Sequence, residues 1–213
     1  MDIRTKEAVR YLGYGRHAID EQTLELIQNS FQELEQVADA RFVYRIFEII
    51  EENENELTIG GLRVQSKNLY KNLKDCDHAI LFCATLGSSI DLLIKKYSVS
   101  DMSKAVVLQA CAAAFLEEYC DKMQEQIVDG LEKGLYLRPR FSPGYGDFSI
   151  FHQKELLQMT DASKQIGLTM TDGYMLTPSK SITAVIGISS EAGECTVKGC
   201  EVCTKQDCIY RRS

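Results

Sequence analysis

The sequence predicts an α+β protein built on a mainly antiparallel sheet, and three observations carry that expectation. Strand-like and helix-like segments are mixed without the regular alternation of a doubly wound fold. One long stretch, Met102 to Leu131, repeats its apolar residues at helical spacing. Short apolar runs bounded by glycine or by polar clusters read as strands.

The elements follow in chain order. A short helix runs through Arg10 and Tyr11 and stops at Gly13, and Asp20 can cap a second, in which Leu24, Ile27, Phe31, Leu34 and Val37 line one face. Arg41 to Ile50 alternates Phe42, Tyr44 and Ile46, the signature of a strand. Leu57 and Ile59 on one side of Gly60-Gly61, with Leu62 and Val64 on the other, read as a strand pair. The acidic run Glu51 to Glu56 reads as the solvated connection between them. Ser66 can cap a helix that ends near Asp75, and Ala79 to Ala84 reads as a buried strand. The long helix carries Ala105, Leu108, Ala112, Phe115, Tyr119, Met123 and Ile127 on one face, and its Ala112-Ala113-Ala114 segment lets another element come close. A helix from about Phe151 to Met159, apolar runs around Leu168 to Met170 and Tyr174 to Leu176, and a strand from Ile182 to Ile188 complete the expectation.

The 213 residues are 45% hydrophobic and 26% charged, enough for one sizeable core. A net charge of -7 with scattered lysines and arginines offers no footprint for nucleic acid or an anionic membrane. No apolar run reaches the roughly 18 residues a spanning helix needs, and the start lacks a signal core. The expected location is cytoplasmic, with neither nucleic acid nor membrane as a partner.

Eight cysteines fall into two groups. Cys76, Cys83, Cys111 and Cys120 lie in apolar segments and read as small buried hydrophobes of a reducing compartment. Cys195, Cys200, Cys203 and Cys208 form a C-x4-C-x2-C-x4-C pattern in a polar tail, spacing that suits tetrahedral zinc or an iron–sulfur cluster, or else marks a reduced, unliganded tail. The expected organisation is one domain over residues 1–190, with residues 191–213 as a cysteine-rich tail.

Residues 140–147, Arg-Phe-Ser-Pro-Gly-Tyr-Gly-Asp, concentrate the equipment of a small-molecule site. Pro143 fixes its own φ and extends Ser142, while Gly144 and Gly146 allow positive φ and a close approach to the main chain. Arg140 can grip a carboxylate at two points, and Tyr145 adds a phenol. The plain alternative is a surface turn with an exposed arginine. Glu117 and Asp121, four apart on the long helix, form either a solvated acidic edge or a partner for an ammonium or sulfonium group. His17, His78 and His152 sit in no ligating motif.

Arg140-x-x-x-Gly144-Tyr145, followed by Gly167-Leu168-Thr169-Met170-Thr171, Met175, Pro178 and Ser181, resembles the activation domain of cobalamin-dependent methionine synthase, in its stand-alone form. The resemblance runs from the long helix to about Ile188. It implies a bent, mainly antiparallel sheet with flanking helices. It also implies that the chain binds S-adenosylmethionine and supports the reductive methylation of an oxidised corrinoid. That cobalamin would be carried by a partner methionine synthase or related corrinoid protein, with the electron coming from a donor such as a flavodoxin or ferredoxin. Carried over by position, Arg140 would hold the carboxylate of S-adenosylmethionine and the backbone at Ser142 and Gly144 would meet the ligand. Tyr145 would stand beside the transferring methyl as the catalytic residue, and Glu117, or Glu118 beside it, would take the amino group. Lys180-Ser181 would lie near corrin substituents. The family's early aspartate and later tyrosine ligands have no counterpart here.

Two other classes remain beside this one. A non-catalytic scaffold would dock a corrinoid protein and use the tail as a structural metal knuckle. An ordinary methyltransferase of Rossmann type would need a Gly-rich strand-to-helix turn, which is missing.

Overall fold

Capping side chains mark where the first three helices begin. The computed structural model describes residues 1–14, 19–53 and 55–190, and the chain folds as two compact units. The first comprises Met1–Asp39 and Leu86–Asp121, and the second begins with Ala40–Thr85 and resumes at Lys122. In the first, Asp2 opens α1 (Ile3–Tyr11) by accepting the Thr5 amide at 2.7 Å, and Asp20 opens α2 (Glu21–Val37) by accepting that of Thr23 at 2.8 Å. Gly13, with φ of 81°, follows the first helix where the sequence places its stop.

The expected face of α2 is the buried one, with Ile27, Phe31 and Leu34 inside. Arg4 of α1 covers the Phe31 ring at 4.3 Å and pairs with Glu35. The sequence expectation contains no counterpart to α4 (Ser88–Ser100). It starts at Gly87 without a side-chain cap, buries only Ile90 and Ile94, and leaves Leu92 and Val99 exposed, so its apolar stripe is blurred. Next comes α5 (Met102–Asp129), the longest helix. Lys104 of α5 ion-pairs with Glu33 of α2 and donates to the Tyr97 hydroxyl of α4 at 3.0 Å, while that hydroxyl donates to Glu33 at 2.9 Å. Three helices thus share one polar tie.

The second unit is organised by a six-stranded antiparallel sheet. Its strands are β1 (Arg41–Asn53), β2 (Glu56–Ile59), β3 (Leu62–Gln65), β4 (His78–Thr85), β5 (Tyr136–Leu137) and β8 (Ser181–Ser189), in the order β3-β2-β1-β4-β8-β5. Between β5 and β8 the chain adds the small hairpin of β6 (Thr169–Met170) and β7 (Leu176–Thr177). β4 occupies the middle, paired with β1 from Arg41↔Thr85 to Glu48↔His78 and with β8 from His78↔Ile188 to Thr85↔Ser181. Its unbroken apolar run is what such a position requires. Gly60 and Gly61, at φ of 54° and 96°, make the two-residue turn between β2 and β3 that a tight hairpin with right-handed twist demands.

One expectation is corrected here and another is sharpened. The acidic run is mostly strand: Ile50 and Glu51 pair with Thr58 and Leu57, and Asn53 pairs with Glu56 after a register irregularity, so the connection shrinks to two residues. The alternation in β1 is real, yet the face that packs in this unit's core carries Val43, Phe47 and Ile49, whereas Tyr44 and Ile46 are 39% and 43% exposed. Both faces of β1 are apolar, so periodicity alone does not choose between them.

The core of this unit joins Leu57, Ile59, Leu62 and Val64 of the hairpin with Leu69 and Leu73 of the α3 segment, Ala79 and Leu81 of β4, Val185 of β8, Phe148 and Leu156. Here α3 (Lys67–Asn72) is the helix capped by Ser66, as the sequence indicates, and Leu156 belongs to α6 (Gln153–Met159). A satellite cluster holds Cys83 against Ala162 and Ile166 of α7 (Ala162–Ile166), a short helix that the sequence reading does not separate. The four scattered cysteines are buried, and burial pushes the Cys83 and Cys111 thiols up to about 12. Among the described residues no helix is long and apolar enough to cross a membrane.

Candidate functional site

Two aromatic residues anchor the loop at residues 140–147 and push its centre outward. Phe141 exchanges both backbone hydrogen bonds with Val185 of β8, each at 2.9 Å, and its ring packs against the core that contains Phe148. Between these anchors the chain makes two consecutive turns. The Tyr145 amide donates to the Ser142 carbonyl at 3.1 Å, and the Phe148 amide donates to the Tyr145 carbonyl at 2.9 Å. Pro143 and Gly144 are the central residues of the first turn. Gly144 has φ of 93°, the left-handed value that a type II turn needs after proline. The Gly144 amide donates to the Phe148 carbonyl at 2.7 Å and closes the loop on itself.

The second turn is fastened to α3. One Asp147 carboxylate oxygen accepts the Ser66 hydroxyl at 2.5 Å and the Asn68 amide at 3.1 Å, while the other accepts the Lys67 amide at 2.8 Å. Burial opposes the Asp147 charge, yet these donors prevail and hold the carboxyl below the usual aspartate range. Gly146, at φ of 53°, lets the backbone pass so close to Asn68 that a Cβ there would collide with its side-chain nitrogen.

Within this frame the sequence-predicted residues take different positions. Arg140 is half-buried, and its Nη1 donates to the Oε1 of Gln124 near the end of α5. Gln124 also lines a groove of about 280 Å³ with Glu125, Val128, Asp129 and Leu137. Ser142 is only 8% exposed and its hydroxyl has no hydrogen-bond partner among the described residues, an unusual state for a buried polar atom. Tyr145 is 56% exposed, its ring edge-on to Phe141 at 6.2 Å. The loop therefore offers a held guanidinium, an unsatisfied hydroxyl, a glycine backbone and an outward phenol within six residues.

Glu117 belongs to the first unit, where it is half-buried and, after burial, is the next cause raising the phenol of Tyr11 above the usual tyrosine value. Its neighbour Glu118 faces Arg4 at 3.6 Å, so the two adjacent carboxylates have different surroundings. Asp121 is exposed. The Ser181 hydroxyl donates to the Pro178 carbonyl at 2.7 Å and lies 2.8 Å from the Thr85 hydroxyl, which can donate to it, so it is spent within the fold. Gly167 ends α7 at φ of 70°, and Met175 is exposed. His152 stacks on Phe148 at 5.4 Å and His78 is exposed on β4; His17 lies outside the described residues. So do Cys195, Cys200, Cys203 and Cys208, and among the described residues no group of three or more His, Cys, Asp or Glu could hold a metal.

Sequence reasoning missed Gln124 as the support of Arg140 and Asp147 as the fastening of the loop. Gln124 follows Glu117 by seven positions on one helix, a spacing that could have drawn attention to it. Asp147 carried no local signal, because its partners are 79 to 81 residues away.

An antiparallel sheet backed by helices, with an arginine-bearing turn joined to β8, sets this fold apart from the doubly wound methyltransferases. The chain belongs to the family described as vitamin B12 dependent methionine synthase, activation domain, whose family model matches residues 64–212. The fold is also that of a solved relative, the crystal structure of the MetH reactivation domain bound to AdoHcy, with a TM-score of 0.58 at 12% identity over 89% of this chain and 77% of that one. The resemblance and the α+β expectation drawn from the sequence are thereby borne out. No curated protein matches the chain.

Proposed function

We propose that this chain binds S-adenosylmethionine and supports the reductive methylation of an oxidised corrinoid carried by a partner methionine synthase or a related corrinoid protein. The observation that carries the reading is a guanidinium held by Gln124 beside an exposed, left-handed glycine turn. The amino-acid end of S-adenosylmethionine has the matching chemistry, and the relative bound to AdoHcy adds support from the same fold.

In this reading Arg140 grips the carboxylate, oriented in advance by Gln124, while the backbone at Ser142 and Gly144 meets the ligand. Tyr145, exposed and braced on Phe141, borders the methyl that is to be transferred. When the partner brings it, the corrinoid supplies the methyl acceptor, and a flavodoxin or ferredoxin supplies the electron. The protein's own contribution is positioning, since displacement at a sulfonium needs no proton transfer and a fixed donor does what an acid–base pair does elsewhere. Residues 1–190 act as the unit that binds S-adenosylmethionine, and Cys195, Cys200, Cys203 and Cys208 hold zinc or an iron–sulfur cluster.

Calorimetry with S-adenosylmethionine tests the reading. Binding by the full chain, lost in Arg140→Ala, is the expected result; a docking scaffold predicts no binding, and that outcome would reject the proposal. Metal and sulfide analysis of anaerobically prepared protein tests the tail separately, since it does not depend on the methyl donor.

A further inference from the structure

We infer that Asp147 is a positioning residue: its bonds to the start of α3 form a latch that holds residues 140–146 in the conformation that receives the methyl donor. The inference rests on the proposed S-adenosylmethionine reading and adds to it a residue that touches no ligand. Three observations support it. The carboxylate takes three donors at once, from Ser66, Lys67 and Asn68. Ser66 is itself fixed, because its oxygen accepts the Leu69 amide at 3.0 Å while its hydroxyl donates to Asp147. Gly146 is left-handed and lies against Asn68 without room for a side chain, so the backbone at the latch has a single close fit.

The upstream end of the loop is already fixed through Phe141 and Val185, and Phe148 is buried downstream. The span between them consists of two turns closed by three backbone bonds, from the amides of Gly144, Tyr145 and Phe148. Asp147 sits between the second turn and its buried anchor. Releasing it frees Gly146 to leave the left-handed region, which Gly does at little cost, and the turn that carries Tyr145 then opens. The carboxylate's preference for its charged form agrees with this geometry.

The test uses the full chain, with Asp147→Ala, Ser66→Ala and the double variant. Hydrogen exchange in the ligand-free protein is expected to quicken tenfold or more at Gly144, Tyr145 and Phe148 in Asp147→Ala, with little change in β4. The Kd for S-adenosylmethionine is expected to rise at least tenfold, and the two single effects on Kd should fail to add, because both cut the same latch. A lowered melting temperature with unchanged Kd and unchanged loop exchange would reduce Asp147 to a structural cap and overturn the inference. Should Asp147→Ala fail to fold, Ser66→Ala carries the same two readouts. Failure of the wild type to bind S-adenosylmethionine would reject the proposed function instead, and the exchange measurement would still decide whether the latch exists.

Discussion

Gly187 has no freedom to gain a side chain, although it lies in the middle of a strand where alanine is normally preferred. It pairs with Ala79 across the β4–β8 ladder, and a Cβ built there would lie 2.7 Å from the Cys76 sulfur, 2.9 Å from a Leu73 methyl and 3.0 Å from the Arg138 Cγ. Carbon atoms in good contact stand about 3.5–4.0 Å apart, so all three neighbours would have to withdraw by roughly 0.5–1 Å. They belong to two segments, the connection between α3 and β4 and the chain after β5, and Leu73 is in the core. Replacing glycine within a strand contributes about 0.5–1 kcal/mol, while forcing a methyl into a packed site costs about 1–3 kcal/mol. The net expectation for Gly187→Ala is a loss of about 1–2 kcal/mol, or a melting temperature lower by roughly 2–8 °C for a chain of this size. Thermal unfolding followed by circular dichroism measures it. Adding Cys76→Ala should return part of the loss, because the nearest atom is then gone, giving a coupling of about 0.5 kcal/mol or more. A melting temperature equal to or above wild type in Gly187→Ala would refute the packing argument and with it the seating of the α3 segment on β8.

Other substitutions test other parts of the chain. Gln124→Ala removes the acceptor that orients Arg140 and should weaken S-adenosylmethionine binding by about three- to tenfold, in keeping with about 0.5–1.5 kcal/mol for one hydrogen bond, as titration calorimetry will read. Glu33 is opposed by burial but held below the usual 4.5 by its bonds from Lys104 and Tyr97. Its stabilising share is therefore complete above that value and lost as the pH falls through the lower, folded pKa, so urea unfolding of Glu33→Gln and wild type should differ at neutral pH and converge in acid. The buried thiols of Cys76, Cys83, Cys111 and Cys120 should resist alkylation in the native protein and react once it is denatured, which peptide mapping by mass spectrometry will resolve; rapid native labelling at Cys83 would contradict its burial.

Legibility in the sequence followed how local each signal was. Asp20 and Ser66 announced their helices because a cap and its amide lie three residues apart. The turn at Gly60-Gly61 and the loop at residues 140–147 were legible for the same reason, since proline and glycine restrict or free their own backbone. α4 was illegible because its exposed Leu92 and Val99 break the stripe, and β5, only two residues long, gains its identity from pairing with β8. The inward face of β1 was decided by which side meets α3, α6 and α7, which no alternation reveals. Residue types in the candidate site could be read directly; the supports could not, because Gln124 and Ser66 reach the loop from 16 and 81 positions away.

That division between residues and supports bears on the choice between a methyl-donor site and a docking scaffold. A scaffold needs a surface of suitable shape, and any polar atom it buries is best paired within the fold. The loop does the reverse. Its outer groups, Tyr145 above all, stand in solvent, while the hydroxyl of Ser142 is buried without a partner at the point where the chain is most firmly held. Asp147, Ser66 and the Phe141–Val185 bridge spend many hydrogen bonds on the position of this one unsatisfied atom and its neighbours. Preorganisation of that kind raises affinity for a small ligand by removing the ordering cost at binding, and brings little to a broad docking face whose energy is spread over many contacts. Arg140→Lys separates the two cases: it keeps the charge but removes the two-point fork, so a scaffold should fold and dock as before, whereas a donor site should lose affinity for S-adenosylmethionine by about three- to tenfold.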